Sequence, residues 1–560
     1  MRRWWIIPGL LITLLLTGGL SSPGKDHAPM TDVAIAHFKR VQPVFEQKVL
    51  LLQERIRQLN TGDLQTIQNA KEALADCRIS YKQLAFFLEY FFPGQAYVFN
   101  SPAKYEIEEP FVEYEEPVGF QQIEALLYDT AVFRHKTALE AQAVVMAESA
   151  SDLPSLLYNF SATDHQVKES IRQELIRVMT LYISGYDAPL LKTGIREAAA
   201  AMRAIDTLMV GDSLHYYMKQ GIAFLDAGAD FDSFDRLHFL TEYALPLQRL
   251  MGDTRLFSRS FLDRQAFPGS NNTDTQLGRI LFAEKLLSGN GSRSCASCHQ
   301  PSAFFTDGAI RNTVLDSDSL LPRHTPGLLY SCYQYSQFWD GRAHNVDDQV
   351  MAVLHSRQEM NAIDDSILAR LQHKYRQPFS IPQVTGALAA YLRTLAPFSS
   401  PFDRYIEGDR RAMTPQQQKG FNVFMGKAQC GTCHFAPVFN GLIPPLYNRT
   451  EFEVLGTPAN EDFRRPATDA DRGRAAFFPI EFYEGAFKTP TARNTSVTAP
   501  YMHNGAFSSI DKVIDFYDKG GGAGLGMTVH NQTLSAVPLG LSEDEKKALI
   551  AFMEALTDKL

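Results

Sequence analysis

Apolar residues recur at three- and four-residue spacing in residues 33–51, 167–183, 195–209 and 237–250, the period of a helix with one buried face. Between about Met30 and Met251 there is little of the strict alternation that marks a half-buried strand. Segments of these lengths predict an antiparallel helical bundle over residues 30–251. Inside it lies a carboxylate-rich stretch with Glu106, Glu108, Glu109, Glu113, Glu115 and Glu116. It reads as a solvated loop, with a cation site as the sharper alternative. Phe267-Pro268-Gly269-Ser270-Asn271-Asn272 then reads as a linker.

Beyond the linker the pattern falls into two similar halves. A helix over 275–282 leads into Cys295-Ala296-Ser297-Cys298-His299, and an apolar helix over 387–395 closes the first half. Thr414-Pro415-Gln416-Gln417 then supplies an N-cap, an N1 proline and a capping-box acceptor in order. The helix it starts carries Phe421 and Phe424 towards Cys430-Gly431-Thr432-Cys433-His434. Ser542-Glu543-Asp544-Glu545 is a second capping box, opening a terminal helix over 546–556.

C-x-x-C-H is the attachment signature of c-type haem. Thiols at Cys295 and Cys298, or at Cys430 and Cys433, reach the two vinyl groups on one side of a porphyrin, and the adjacent histidine ligates the iron. A zinc or redox C-x-x-C is the alternative. Two copies, using four of the six cysteines, favour two covalently bound haem c groups. The fold class follows: mainly α, an N-terminal helical bundle followed by two tandem cytochrome c-type domains over 255–405 and 406–560. Cys77 and Cys332 read as buried thiols rather than a disulfide.

The 560 residues are too many for one core. A formal charge of −9 argues against nucleic acid as a partner and fits loosely with a basic docking protein. Arg2-Arg3, the apolar residues 4–16 and Thr17-Gly18-Gly19 read as an export signal over 1–22. A retained membrane anchor is the alternative, since no Ala-x-Ala cleavage site follows. Export to the bacterial periplasm agrees with the haem motifs. The sequence leaves a homodimer open.

Several further stretches resemble the bacterial di-haem cytochrome c peroxidases and the related MauG oxidases. They are Leu277-Gly278-Arg279-Ile280-Leu281-Phe282, Phe305-Thr306-Asp307-Gly308, Phe338-Trp339-Asp340-Gly341-Arg342 and Thr498-Ala499-Pro500-Tyr501-Met502-His503-Asn504-Gly505. The resemblance implies that His299 is the proximal ligand of a peroxidatic haem. It implies that His434 and Met502 ligate an electron-transfer haem, and that Trp339 bridges the two. Gln349 and Glu359, ten residues apart, fall where the family has its distal pair. A buried carboxylate there could move a proton between the two oxygens of peroxide, and Gln349 could orient it. The function implied is reduction of hydrogen peroxide to water, with electrons from a small cytochrome c or copper protein. A MauG-like oxidase of a protein or organic substrate is the alternative, disfavoured because MauG has tyrosine where Met502 stands. A non-enzymatic electron carrier or sensor fused to an iron-binding bundle is a third reading, and the retained Gln349 and Glu359 argue against it.

The chain departs from the family in three places. Typical members close the resting peroxidatic iron with a second histidine, but residues 309–322 contain none, so an open iron is expected. His324 and His355 are rival ligands that read as hydrogen-bonded structural residues. His324 also replaces an asparagine that ligates calcium in relatives. A neutral imidazole is a poor calcium ligand, which leaves backbone carbonyls to supply any such site. Finally, Gly119-Phe120-Gln121-Gln122-Ile123-Glu124 resembles the G-x-H-x-x-E helix of imelysin-like proteins. Gln121 stands in place of the histidine, which argues against a metal role for that motif.

Overall fold

A computed structural model describes residues 29–108, 113–209, 211–228, 230–252, 256–263 and 272–560. The expected export segment 1–22, residues 267–271 of the linker and Glu109 of the acidic stretch lie outside the described residues. The molecule is mainly helical.

The N-terminal half opens with α1 (Met30–Arg57), α2 (Gln65–Phe91) and α3 (Pro93–Asn100). Then come α4 (Phe120–Tyr128), α5 (Lys136–Asp152) and α6 (Asp164–Arg177), followed by α7 (Gly194–Asp206) and α8 (Asp212–Ala227). Helix α2 is the centre, packing against α1, α3, α4, α6 and α7. Its sequence carries no clear helical period, for a physical reason. Buried residues such as Leu74, Cys77, Arg78, Tyr81, Lys82, Leu84 and Phe87 surround it on several sides, so no clean polar face remains. The acidic stretch is not simply a loop. Strands β1 (Glu106–Glu108) and β2 (Glu113–Glu115) pair antiparallel with Ile107 opposite Tyr114, a short Glu-apolar-Glu alternation on each strand.

Burying Arg78 and Lys82 on α2 requires partners. Arg78 makes a two-pronged pair with Glu197 at 2.9 and 3.1 Å, and Lys82 pairs with Asp187. Glu124, from the imelysin-like helix, accepts the backbone N–H groups of Leu190 and Leu191 through one oxygen at 2.7 and 2.9 Å. The glutamate of that motif therefore clamps the segment between α6 and α7. Among the described residues no group of three or more His, Cys, Asp or Glu is placed to hold a metal ion.

The C-terminal half repeats one crossing twice. Helix Asn272–Phe282 packs on Ile381–Leu392, and Pro415–Phe424 packs on Glu543–Ala555. At each crossing a glycine lets the backbones touch. A Cβ on Gly278 would collide with the carbonyl of Ala387, and one on Gly420 with that of Ala548. Both capping boxes form as read, at Thr414 with Gln417 and at Ser542 with Glu545. Strands β3 (Phe452–Val454) and β4 (Ala486–Lys488) form a small ribbon in the long loops. A buried Arg493–Asp403 pair, at 2.9 and 2.7 Å, ties helix Pro401–Glu407 to the last third of the chain.

The bundle docks on the last third of the chain. Gln429 donates its side-chain amide to the Pro189 carbonyl at 3.0 Å, and Asn422 bonds both Leu237 N–H and Asp235. Tyr105 stacks on Phe482 with centroids 3.9 Å apart. Cys77 and Cys332 are buried free thiols. Among the described residues no helix is long and apolar enough to cross a membrane.

Candidate haem sites

Each C-x-x-C-H motif is held in a single tight turn. Ser294 caps the turn Cys295–Cys298 through a capping box with Ser297. His299 then leaves the helix, and its Nδ1–H donates to the carbonyl of Phe305 at 3.1 Å. Phe304 and Phe305 both sit at positive φ, which folds the chain back under the ring. The second motif uses the same device. Gln429, in the left-handed region, starts the turn Cys430–Thr432, and His434 Nδ1–H donates to the carbonyl of Phe439 at 3.0 Å. Phe439 also has positive φ.

An Nδ1–H held by a carbonyl selects the tautomer whose Nε2 carries the lone pair, the usual arrangement for a metal-ligating histidine. Burial lowers the pKa of both rings, against the opposing carbonyls of Phe305 and Pro326 around His299 and of Phe439 and Pro490 around His434. Burial thus favours the neutral imidazole, the form that ligates iron. All four motif cysteines are free of disulfides. Burial pushes the thiols up, Cys295 and Cys430 to about 12 and Cys298 to about 11. Two thiols beside a single tautomer-fixed histidine, with no further ligand cluster among the described residues, fit a covalently attached haem better than the four-ligand set of structural zinc.

The other site candidates divide between the two motifs. Glu359 is half-buried, and its charge acts on both Cys295 and Cys298, which places it beside the first motif. Burial raises its pKa, opposed by Arg342, a bond from Ser356 and Arg293. Gln349 lies on the preceding helix, Val346–His355, capped by Asn345. Trp339 lies between the halves. Its indole N–H donates to the His324 carbonyl at 2.9 Å, and its own carbonyl accepts from Lys488 of β4 at 2.8 Å. The His324 N–H in turn donates to the His503 carbonyl at 2.7 Å, one residue past Met502. Met502 itself is half-buried at φ 71° in a turn closed by Gly505.

Both rival histidines have other partners. His324 donates Nδ1–H to the Ala309 carbonyl at 2.9 Å, and exposed His355 pairs with Asp364 at 2.8 Å.

Two groups escaped the sequence reading. Lys488 is buried, bonds Gln334, and is pushed down to about 7 by burial, opposed by Asp340. Glu453 accepts from the Cys433 thiol at 3.4 Å. Neither belongs to a motif, so no local signal marks them.

Residues 272–411 match the di-haem cytochrome c peroxidase family model. A cytochrome-c peroxidase of Denitromonas iodatirespirans, IdrP2, is 34% identical over 52% of this chain and 84% of its own length. The methylamine utilization protein MauG of Methylorubrum extorquens is 33% identical over 50% of this chain and 77% of its own. A solved MauG-like protein associated with microbial copper homeostasis covers 52% of this chain and 91% of its own, at 27% identity and a TM-score of 0.44. Four-fifths of a peroxidase is thus shared at a third identity, and the chain belongs to the di-haem cytochrome c peroxidase family, haem enzymes with two covalently bound haems.

Proposed function

We propose that this chain is an exported di-haem peroxidase that reduces hydrogen peroxide to two waters with electrons from a small cytochrome c or copper protein. The observation that carries the reading is Glu359, a half-buried carboxyl beside the first motif with its pKa raised. Periplasmic placement rests on the Arg2-Arg3 leader and on haem attachment outside the cytoplasm.

In this reading Cys295, Cys298 and His299 would hold the peroxidatic haem, and Cys430, Cys433, His434 and Met502 the electron-transfer haem. When bound, haem would supply one-electron chemistry and activate peroxide for cleavage. Glu359 takes the proton from one peroxide oxygen and returns it to the other, which leaves as water. Burial matters here because a carboxyl of ordinary pKa holds a proton too weakly to return it near neutral pH. Gln349 orients the peroxide through its amide. Trp339, fixed at both its indole N–H and its carbonyl, provides a rigid aromatic bridge between the halves. Residues 309–322 contain no histidine that could close the peroxidatic site, so with haem bound it would admit peroxide without prior reduction.

Steady-state peroxide consumption with a reduced donor cytochrome, in the wild type and in Glu359→Gln, tests the reading. Turnover undiminished by the substitution would remove Glu359 from the mechanism. A low-spin bis-histidine spectrum for the first haem would refute the open site.

A further inference from the structure

Among the contacts of the bundle with the second motif is a half-buried phenol, Tyr186. Helix α6 runs on as a π-helical turn over Val178–Tyr182, and the chain then turns at Gly185, φ 78°. That places Tyr186 against the last third of the chain, where its hydroxyl donates to Glu451 at 3.0 Å. The Glu451 side chain is only 4% exposed, and its other oxygen pairs with Lys104. The Tyr186 ring packs edge-on against Phe435, centroids 5.4 Å apart, and Phe435 directly follows His434. The Gln429–Pro189 bond pins this contact from the residue before Cys430.

We propose that Tyr186 is a redox-active side chain, a one-electron donor to the second haem site with Glu451 as its built-in proton acceptor. The inference rests on the peroxidase reading above and extends it to the bundle.

A phenol oxidised near neutral pH must shed its proton together with the electron. It does so most readily where a base already holds the O–H. Glu451 meets that need. Burial first, then the charges of Glu451 and Asp187, push the Tyr186 phenol well above its ordinary range, so it stays neutral until an electron is withdrawn. A merely structural tyrosine could tie the same interface, but it would not need to lie against Phe435, the residue next to His434.

The balance is simple. One electron leaves the Tyr186 ring for the peroxide-oxidised haem pair. Its O–H bond breaks, and the proton forms an O–H bond on Glu451, leaving a neutral phenoxyl radical. Reduction of hydrogen peroxide to two waters takes two electrons and two protons. Without an external donor Tyr186 would supply one of the electrons and bound haem the other, with both protons taken from solvent. Two more phenols repeat the pairing deeper in the bundle: Tyr182 donates to Glu174 at 3.0 Å and Tyr81 to Glu89 at 3.0 Å.

The test is rapid-freeze electron paramagnetic resonance of the holoprotein mixed with hydrogen peroxide and no donor, with peroxide consumption followed in parallel. A tyrosyl signal that narrows on ring-deuteration of tyrosine is expected. It should fall at least ten-fold in Tyr186→Phe, with two haems per chain retained by absorption. Glu451→Gln, which keeps the ring and removes the base, should lower it by a similar factor. A signal of wild-type size in either variant overturns the relay. So does a wild type that consumes peroxide without forming a tyrosyl signal, which leaves the peroxidase reading intact. A wild type that does not consume peroxide overturns both.

Discussion

The indole N–H of Trp339 donates to the carbonyl of His324 at 2.9 Å, and the N–H of His324 donates to the carbonyl of His503 at 2.7 Å. Two hydrogen bonds therefore run from the tryptophan of the first half to the residue after Met502 in the second. With the Lys488 bond to its carbonyl, Trp339 is held from both ends, and the two halves cannot shift without breaking one of these bonds.

Trp339→Phe keeps an aromatic ring and leaves the buried His324 carbonyl without its donor. An unsatisfied buried acceptor costs about 1–3 kcal/mol, so the denaturant midpoint should fall by a corresponding amount. Donor-dependent peroxide turnover should drop at least ten-fold with both haems retained. Equal turnover would take Trp339 out of the electron path.

Glu359→Gln should lower turnover by roughly 10²–10⁴, the usual contribution of a positioned acid–base group. The sign of the pH dependence follows from the raised pKa. The base form is lost as pH falls through a value above the ordinary carboxyl range, so wild-type activity should decline on the acid side earlier than for an exposed glutamate. That limb should be absent from the profile of the variant.

Asp403 faces Arg493 in a buried pair, and despite burial the guanidinium and the Ser400 bonds hold its pKa below the ordinary range. A depressed carboxyl contributes stability that is present above its unfolded pKa and lost as pH falls through the folded one. Unfolding followed by circular dichroism should show Asp403→Asn destabilised by about 3–5 kcal/mol at neutral pH. The gap between variant and wild type should narrow at strongly acid pH.

Gly420→Ala puts a methyl group into the Ala548 carbonyl at the helix crossing. Overpacking of this kind costs about 1–3 kcal/mol or more. Thermal melting of the holoprotein should record a lower midpoint, and Gly278→Ala at the equivalent crossing should behave alike. If both variants melt as the wild type does, the crossings are looser than described.

What was legible in the sequence was local. Thr414 and Gln417, or Ser542 and Glu545, sit three residues apart, and a capping box needs nothing more distant than that. The C-x-x-C-H turns are equally self-contained. Helix α2 was passed over because burial on several sides erases the polar stripe that a periodicity reading depends on. The acidic stretch looked like loop because three-residue strands carry too few alternations to register. The partners of Glu124 were out of reach as well: a motif can single out a glutamate but cannot say that two backbone N–H groups some sixty-six residues on will occupy it. The Gln429–Pro189 and Tyr186–Glu451 contacts span 240 and 265 positions, and no local pattern encodes a pairing at that range.

The fastening of Gln429 to Pro189 also constrains biogenesis. Pro189 is synthesised 240 residues before Gln429. The early-made bundle therefore cannot complete this contact until the second motif has emerged, which makes the interface a late event in folding.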